Sequence, residues 1–285
     1  MGKSSTPAIA VDNVAVITGS ASGIGLAVAK HLASKGMKIY IVDSNEALIE
    51  NAKSEVVAKA SSESNVRAAV ADVTKIEEIE KVCRDASEWG FVTFVMNNAA
   101  IQQGGGTFEN IAQWRKLLDV NLYGVLNGVQ TFVPYLIQQK RPAIIVNTGS
   151  KQGITNPPGN GAYNVSKSAV KTLTEHLAYE LRSQETNITA HLLVPGYTWT
   201  GMTGANSGKD KPNSAWNAEQ VAEFLLQSID AGDFYIICPD NDVDRKLDEA
   251  RMQWAADDII QNRSALSRWD PKYKQQFEDY VKSRK

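Results

Sequence analysis

The sequence predicts an α/β fold: one Rossmann-type, doubly wound parallel sheet of about seven strands with helices on both faces. Three observations carry this. Short apolar runs rich in β-branched residues alternate with longer amphipathic segments. Several of the runs end in Gly, Asp or Asn, and the first leads at once into a glycine-punctuated turn.

The first strand is NVAVITG (13–19), and GIGLAVAKHLASKG (23–36) keeps its apolar residues at helical spacing until Gly36 stops it. MKIYIVD (37–43) is a strand ending in an acid, and EALIENAKSEVVAKAS (46–61) is helical. NVRAAVADV (65–73) is the third strand, KIEEIEKVCRDASEW (75–89) a helix with charge on one side, and FVTFVMNNAA (91–100) the fourth strand. A long helix follows over 111–139, interrupted late by Pro134, and leads into the strand AIIVNTGS (143–150). Residues 161–184 read as a helix, NITAHLLVPG (187–196) as a strand, 218–230 as a helix and DFYIIC (233–238) as the seventh strand. Two segments break the rhythm. Residues 201–217 have the glycine, proline and polar content of a long loop, suited to a substrate lid. Residues 240–285 carry two helical patterns around Trp269-Asp270-Pro271 and no further strand, so the chain reads as a single domain over 1–285 with a C-terminal helical extension.

Composition excludes several classes of function. With 30 basic against 32 acidic residues and no basic tail, nucleic acid is a poor partner. The only cysteines, Cys83 and Cys238, fall in a helix and at a strand end, a pattern that fits free thiols in the cytoplasm. No stretch approaches the roughly 20 apolar residues of a membrane span, and no leader-like apolar run opens the chain. Gly2 invites a myristoylation reading, but Thr6 fits the hydroxyl position of that motif only loosely. No metal site is expected.

The first strand–helix junction reads TGSASGIG, with Thr18, Gly19, Ser22, Gly23, Ile24 and Gly25 as candidate cofactor contacts. Its glycines let the backbone turn sharply and approach a diphosphate, which the helix N-terminus then favours. Asp43 ends the second strand, where a carboxylate can accept both ribose hydroxyls of adenosine and would repel a 2'-phosphate. No arginine or lysine stands at 20, 21, 44 or 45, so NAD(H) is preferred over NADP(H); the competing reading of Asp43 is a helix N-cap. Asp72-Val73 after the third strand can hold the adenine, and the small residues of Asn97–Ala100, with Asn98 and Ala99 as contacts, permit close approach after the fourth.

Tyr163 and Lys167 are one helical turn apart on one face. If that face is partly buried, the ammonium lowers the phenol pKa and makes it a general acid for carbonyl reduction and a base in reverse. Ser150, ending the fifth strand, can bring a hydroxyl to the same substrate oxygen, or merely cap a turn. Asn121, polar among Leu118, Leu122 and Val125, either satisfies a buried carbonyl or holds a water that passes a proton to Lys167.

From Asp12 to Pro239 this ordered set resembles a classical short-chain dehydrogenase/reductase. The resemblance implies a seven-stranded sheet, hydride transfer at C4 of the nicotinamide, and a tetrad. In that tetrad Asn121 holds a water, Ser150 polarises the oxygen, Tyr163 transfers the proton, and Lys167 lowers its pKa and binds the nicotinamide ribose. Pro195-Gly196, Thr198 and Thr200 would border the nicotinamide. Two departures stand out: Ala100 where glycine usually follows, and Gly149 where a second serine is common. The substrate is expected beneath the loop after the sixth strand, between Trp199, Met202 and Trp216, with Gln152, Ile154 and Asn156 entering from the turn after Ser150. Those walls favour a small neutral ketone or secondary alcohol. By the same analogy the subunits pair through the 111–139 and 161–184 helices as a homodimer or homotetramer. Two alternatives remain. One is a catalytically silent NAD(H)-binding regulator or scaffold, against which the intact tetrad speaks. The other is an epimerase or dehydratase, whose C-terminal substrate domain is usually larger than the short tail after residue 240.

Overall fold

The computed structural model describes residues 6–284, and Gly2 lies outside them. Seven parallel strands form one sheet: β1 (Val14–Thr18), β2 (Lys38–Asp43), β3 (Val66–Val70), β4 (Val92–Asn97), β5 (Ala143–Thr148), β6 (Ile188–Val194) and β7 (Tyr235–Ile237). Their spatial order is β3-β2-β1-β4-β5-β6-β7. The order reverses between β1 and β4, which opens a crevice beyond their carboxyl ends.

The helices are α1 (Gly23–Ser34), α2 (Glu46–Val57), α3 (Ile76–Trp89), α4 (Ile111–Leu118), α5 (Gly124–Gln139), α6 (Gln152–Thr155), α7 (Gly161–Ser183), α8 (Ala218–Ala231), α9 (Arg245–Ile260) and α10 (Lys274–Arg284). Alternate residues of each central strand feed two cores. Ala15, Ile17, Ile39 and Phe94 meet α1, α2 and α8 on one face through Leu32, Val56 and Leu225. Val14, Val16, Val95 and Ile145 meet α3, α5 and α7 on the other through Val82, Phe132 and Val170. Strands buried on both faces explain why they read as unbroken apolar runs.

The long helix expected over 111–139 differs in one place. Pro134 lies inside α5 without ending it, since Phe132 and Leu136 anchor that stretch in the core. The irregularity comes earlier, as a π turn over Asp119–Tyr123 in which the Gly124 N–H donates to the Asp119 carbonyl five residues back.

Beyond β7, α9 and α10 pack on each other around Trp254. Its Nε1 donates to Ser267 Oγ at 2.8 Å, Arg263 stacks 3.9 Å over its ring, and Phe277 and Tyr280 meet it at 5.2 and 5.3 Å. Cys83 and Cys238 are free and buried. Among the described residues no helix is long and apolar enough to cross a membrane.

Candidate active site

A cavity of about 950 Å³ lies at the carboxyl edge of the sheet, across the crevice. At one end it is lined by Gly19, Ser22, Gly23 and Ile24, then by Asp43, Asp72, Val73, Asn98 and Ala99. The other end is lined by Ser150, Tyr163, Lys167, Pro195, Gly196, Thr198 and Thr200. Thr18, Gly25 and Asn121 stand behind this lining rather than in it.

The glycine turn is a cradle that side chains would fill. Gly19 adopts φ +64°, and a Cβ there would come within 2.7 Å of Ala99 Cα. The first turn of α1 has no acidic residue and Ser22 makes no side-chain cap, so the leading amides of α1 are left without a carboxylate partner. Asn98 fastens the turn: its Nδ2 donates to the Thr18 and Gly19 carbonyls at 3.1 Å each, and its Oδ1 accepts from Thr148 Oγ1 at 3.3 Å. Thr18 Oγ1 accepts from the Asn98 and Ala99 amides at 3.0 and 3.3 Å. One asparagine and one threonine thus tie β1, β4 and β5 together beneath the cavity floor.

Asp43 does not cap α2; its carboxylate accepts from the Ala21 amide at 3.0 Å and the Asn45 amide at 3.0 Å. It therefore holds the glycine turn while facing the cavity with negative charge. Asp72 Oδ1 accepts from the Thr74 amide at 2.9 Å, and Val73 offers its carbonyl to Asn127 Nδ2 at 2.8 Å. A ribose diphosphate with an adenine fits this half by shape, amide supply and charge.

In the other half, Asn160 caps α7 by accepting from the Tyr163 amide at 3.3 Å, which fixes the phenol in the first turn. Its Nδ2 holds the 101–106 loop through the Gln102 carbonyl at 2.7 Å. Ser150 Oγ accepts from the Gln152 amide at 3.2 Å and stands against the Tyr163 phenol. Lys167, 2% exposed, donates to the Thr148 carbonyl at 2.8 Å and lies 5.8 Å from the centroid of the Tyr163 ring. Burial pushes its ammonium down to about 8.

The phenol differs from the expectation. Burial raises the Tyr163 pKa, and the Ser150 contact offsets this only in part. The Lys167 ammonium is engaged by a backbone carbonyl instead of the phenolic oxygen, so the expected lowering is not built into these contacts. The Asn121 side chain is also occupied: it accepts from the Ile101 amide at 2.8 Å and donates to the Ile101 carbonyl at 2.9 Å. That is the reading in which it satisfies buried backbone. Its place within the π turn is what sequence periodicity could not reveal.

Several expected substrate contacts lie elsewhere. The Trp216 ring meets Phe224 at 5.9 Å, and its backbone bridges to Thr198. Trp199 packs on Gly204, Asn156 bonds Asn164 at 2.9 Å, and Ile154 joins the core on the α7 face. Met202 and Gln152 do line the cavity, with Ile101, Gln102, Tyr197 and, at its exposed rim, Lys116. Ala100 lines the wall without closing it, and Gly149 donates to the Leu193 carbonyl at 2.7 Å. Sequence reasoning missed Lys151, Asp240 and Asp248, which meet beside Ser150. Their one sequence signal is that Lys151 directly follows that serine. No cluster suited to a metal ion occurs among the described residues.

Comparison with known proteins agrees with this fold. The model of the short chain dehydrogenase family matches residues 13–211. A dehydrogenase/reductase of CLA biosynthesis from Lactiplantibacillus plantarum is 32% identical over 193 residues, 67% of this chain and 66% of that relative. An uncharacterised oxidoreductase of Staphylococcus epidermidis is 31% identical over 218 residues, 75% of this chain and 91% of its own length. The crystal structure of a short chain dehydrogenase/reductase from Burkholderia phymatum in complex with NAD superposes with a TM-score of 0.79 at 29% identity, covering 93% of this chain and 98% of that one.

Proposed function

Because the chain belongs to the short-chain dehydrogenase family, we propose that it is an NAD(H)-dependent oxidoreductase interconverting a small neutral ketone and a secondary alcohol, with Tyr163 as proton donor and acceptor. One observation carries the reading: Ser150, Tyr163 and Lys167 converge at one end of a cavity whose other end is a glycine cradle with Asp43 beside it. Thr18, Gly19, Ser22, Gly23, Ile24, Gly25, Asp43, Asp72, Val73, Asn98 and Ala99 would hold the adenosine diphosphate half, and Pro195, Gly196, Thr198 and Thr200 the nicotinamide half. When bound, the cofactor supplies or accepts a hydride at nicotinamide C4. The Asp43 carboxylate favours a free 2'-hydroxyl over a phosphate, hence NAD(H).

The chain's own groups do the rest. The Ser150 hydroxyl donates to the substrate oxygen and steadies the charge that develops there. Burial holds the Tyr163 pKa above the ordinary phenol range, so the phenol keeps the proton that it would give to that oxygen. Lys167 is cationic below about pH 8 and supplies a poorly screened positive field as the phenol gives up its proton. Asn121 holds the 101–106 loop and the π turn in register behind Tyr163. Ile101, Tyr197 and Met202 with Gln102 and Gln152 suit an uncharged carbonyl compound. The loop over 201–217 would act as its lid. Half-exposed Tyr123, Val165 and Tyr179 on the π turn and α7 offer a face for homodimer or homotetramer contact. A cytoplasmic site of action is supported by two free thiols.

The test is NADH oxidation against a panel of ketones, diketones, quinones and sugar-like carbonyls, with Tyr163→Phe alongside. Turnover by the wild type and none by the variant, with NADH still bound by both, is the expected result. Retained turnover in the variant would place the proton donor elsewhere. NADH binding with no turnover anywhere on the panel would favour the silent regulator.

A further inference from the structure

The C-terminal extension reaches the candidate site through buried charge. Lys151 Nζ lies 2.6 Å from Asp248 Oδ2 in α9 and 3.5 Å from Asp240 Oδ2 after β7. The side chains of both aspartates are less than 8% exposed, at 6% and 7%, and that of Lys151 is 17% exposed. The closer contact is an ion pair rather than a well-aligned hydrogen bond. Asp240 Oδ2 also accepts from the Tyr197 amide at 3.1 Å. The Lys151 amide donates to the Pro195 carbonyl at 3.5 Å. Gly196 runs directly beneath: a Cβ there would stand 2.8 Å from Asp240 Oδ2 and 3.0 Å from Lys151 Nζ.

These contacts join two segments from different strands, Ser150–Gln152 after β5 and Pro195–Tyr197 after β6, to α9. Both segments wall the cavity at the end away from the glycine cradle. The charges continue outward: Arg251 acts on Asp248, and both act on Arg268, which is stacked on Trp269 and Phe277. Buried ions are a poor way to gain stability, because removing them from water offsets their attraction and apolar packing would serve as well. Their contacts do hold backbone segments in place, and on the β5 and β6 side the segments held, 150–152 and 195–197, are cavity wall.

We propose that Lys151, Asp240 and Asp248 form a positioning clamp through which the C-terminal extension sets the wall that receives the nicotinamide half of the cofactor. The clamp rests on the cavity reading given above and adds to it: α9 completes the site although it touches neither reacting group.

The test compares two ligands that differ only at that end. ADP-ribose lacks only the nicotinamide ring that the clamped wall would receive, whereas NADH carries it. Dissociation constants are measured by fluorescence on the full-length wild type, Asp248→Asn and Lys151→Met, with a thermal melt of each. The clamp predicts that NADH weakens by about tenfold in both variants while ADP-ribose stays within about twofold. Equal weakening of both ligands, or a lowered melting temperature with unchanged constants, would overturn it and leave the triad a structural tie. Asp248→Asn is isosteric and carries the test if Lys151→Met does not fold. A wild type that binds both ligands but reduces no carbonyl sinks the reductase reading and leaves this comparison intact. A wild type that binds neither overturns the cofactor reading and the clamp together.

Discussion

Lys167 should cost the free protein stability, and the cost should depend on pH in a way that identifies it. Its ammonium is held at about 8, against about 10.4 for a solvated lysine, so at neutral pH the folded chain keeps a cation where burial disfavours one. The gap corresponds to roughly 3 kcal/mol. Between those two values the unfolded chain binds the proton and the folded chain does not, so stability rises with pH across that window. From pH 7 to 9.5 the gain attributable to this group is roughly 2 kcal/mol. Lys167→Met removes the slope. It also leaves the Thr148 carbonyl without its donor, at about 1 kcal/mol, but that loss is the same at both pH values. Urea unfolding of wild type and variant, followed by tryptophan fluorescence at pH 7 and 9.5, isolates the effect. Buried groups such as Cys238, pushed up to about 12, titrate alike in both proteins and cancel. The difference in unfolding free energy should move by roughly 2 kcal/mol in favour of the wild type at the higher pH. Parallel pH profiles would refute the reasoning, because they would mean that the lysine is not a desolvated cation. The desolvation that destabilises the fold is also what leaves the charge unscreened beside Tyr163, so the cost and the proposed role have one origin.

Three further outcomes are expected. Asp43→Asn, which keeps an acceptor for the Ala21 amide, should weaken NADH by about tenfold and NADPH little; equal losses in a binding titration would remove Asp43 as the selector. Asn98→Ala breaks bonds to Thr18, Gly19 and Thr148 at once and should lower stability by about 2–3 kcal/mol in urea unfolding, with weaker ADP-ribose binding. Trp254→Ala empties the centre of the α9–α10 pair at about 3–5 kcal/mol, and limited proteolysis should cut first beyond residue 240 while the sheet survives.

The elements were legible because both cores are fed by strong local patterns. Runs such as 143–148 are apolar throughout since helices cover both faces, and the glycine turn announces itself by composition. Polar groups that act at a distance were less legible. Asn98 reads as a cofactor contact and does line the cavity, but its second task, holding the Thr18 and Gly19 carbonyls, exists only once β4 lies beside β1. Asn121 stood out as polar among leucines, but a π turn leaves no mark on a pattern read at 3.6 residues per turn. The loop position of Trp216 suggests a substrate contact, whereas its backbone pairing with Thr198 accompanies a ring packed on Phe224. The partners of Lys151 come from after β7 and from α9, and nothing local couples them.

The strand order also bears on how the chain assembles. From β4 outward through β5, β6 and β7, spatial order follows chain order, so each strand can dock on the one made just before it. The exception is β4 itself, which must return past β2 and β3 to pair with β1, residue Val14 lying against Val92. That return is the pairing of greatest sequence separation in the sheet, and contacts far apart in sequence slow folding. Val92–Asn97 is therefore the segment whose docking divides an early, three-stranded half from a half that can then grow strand by strand.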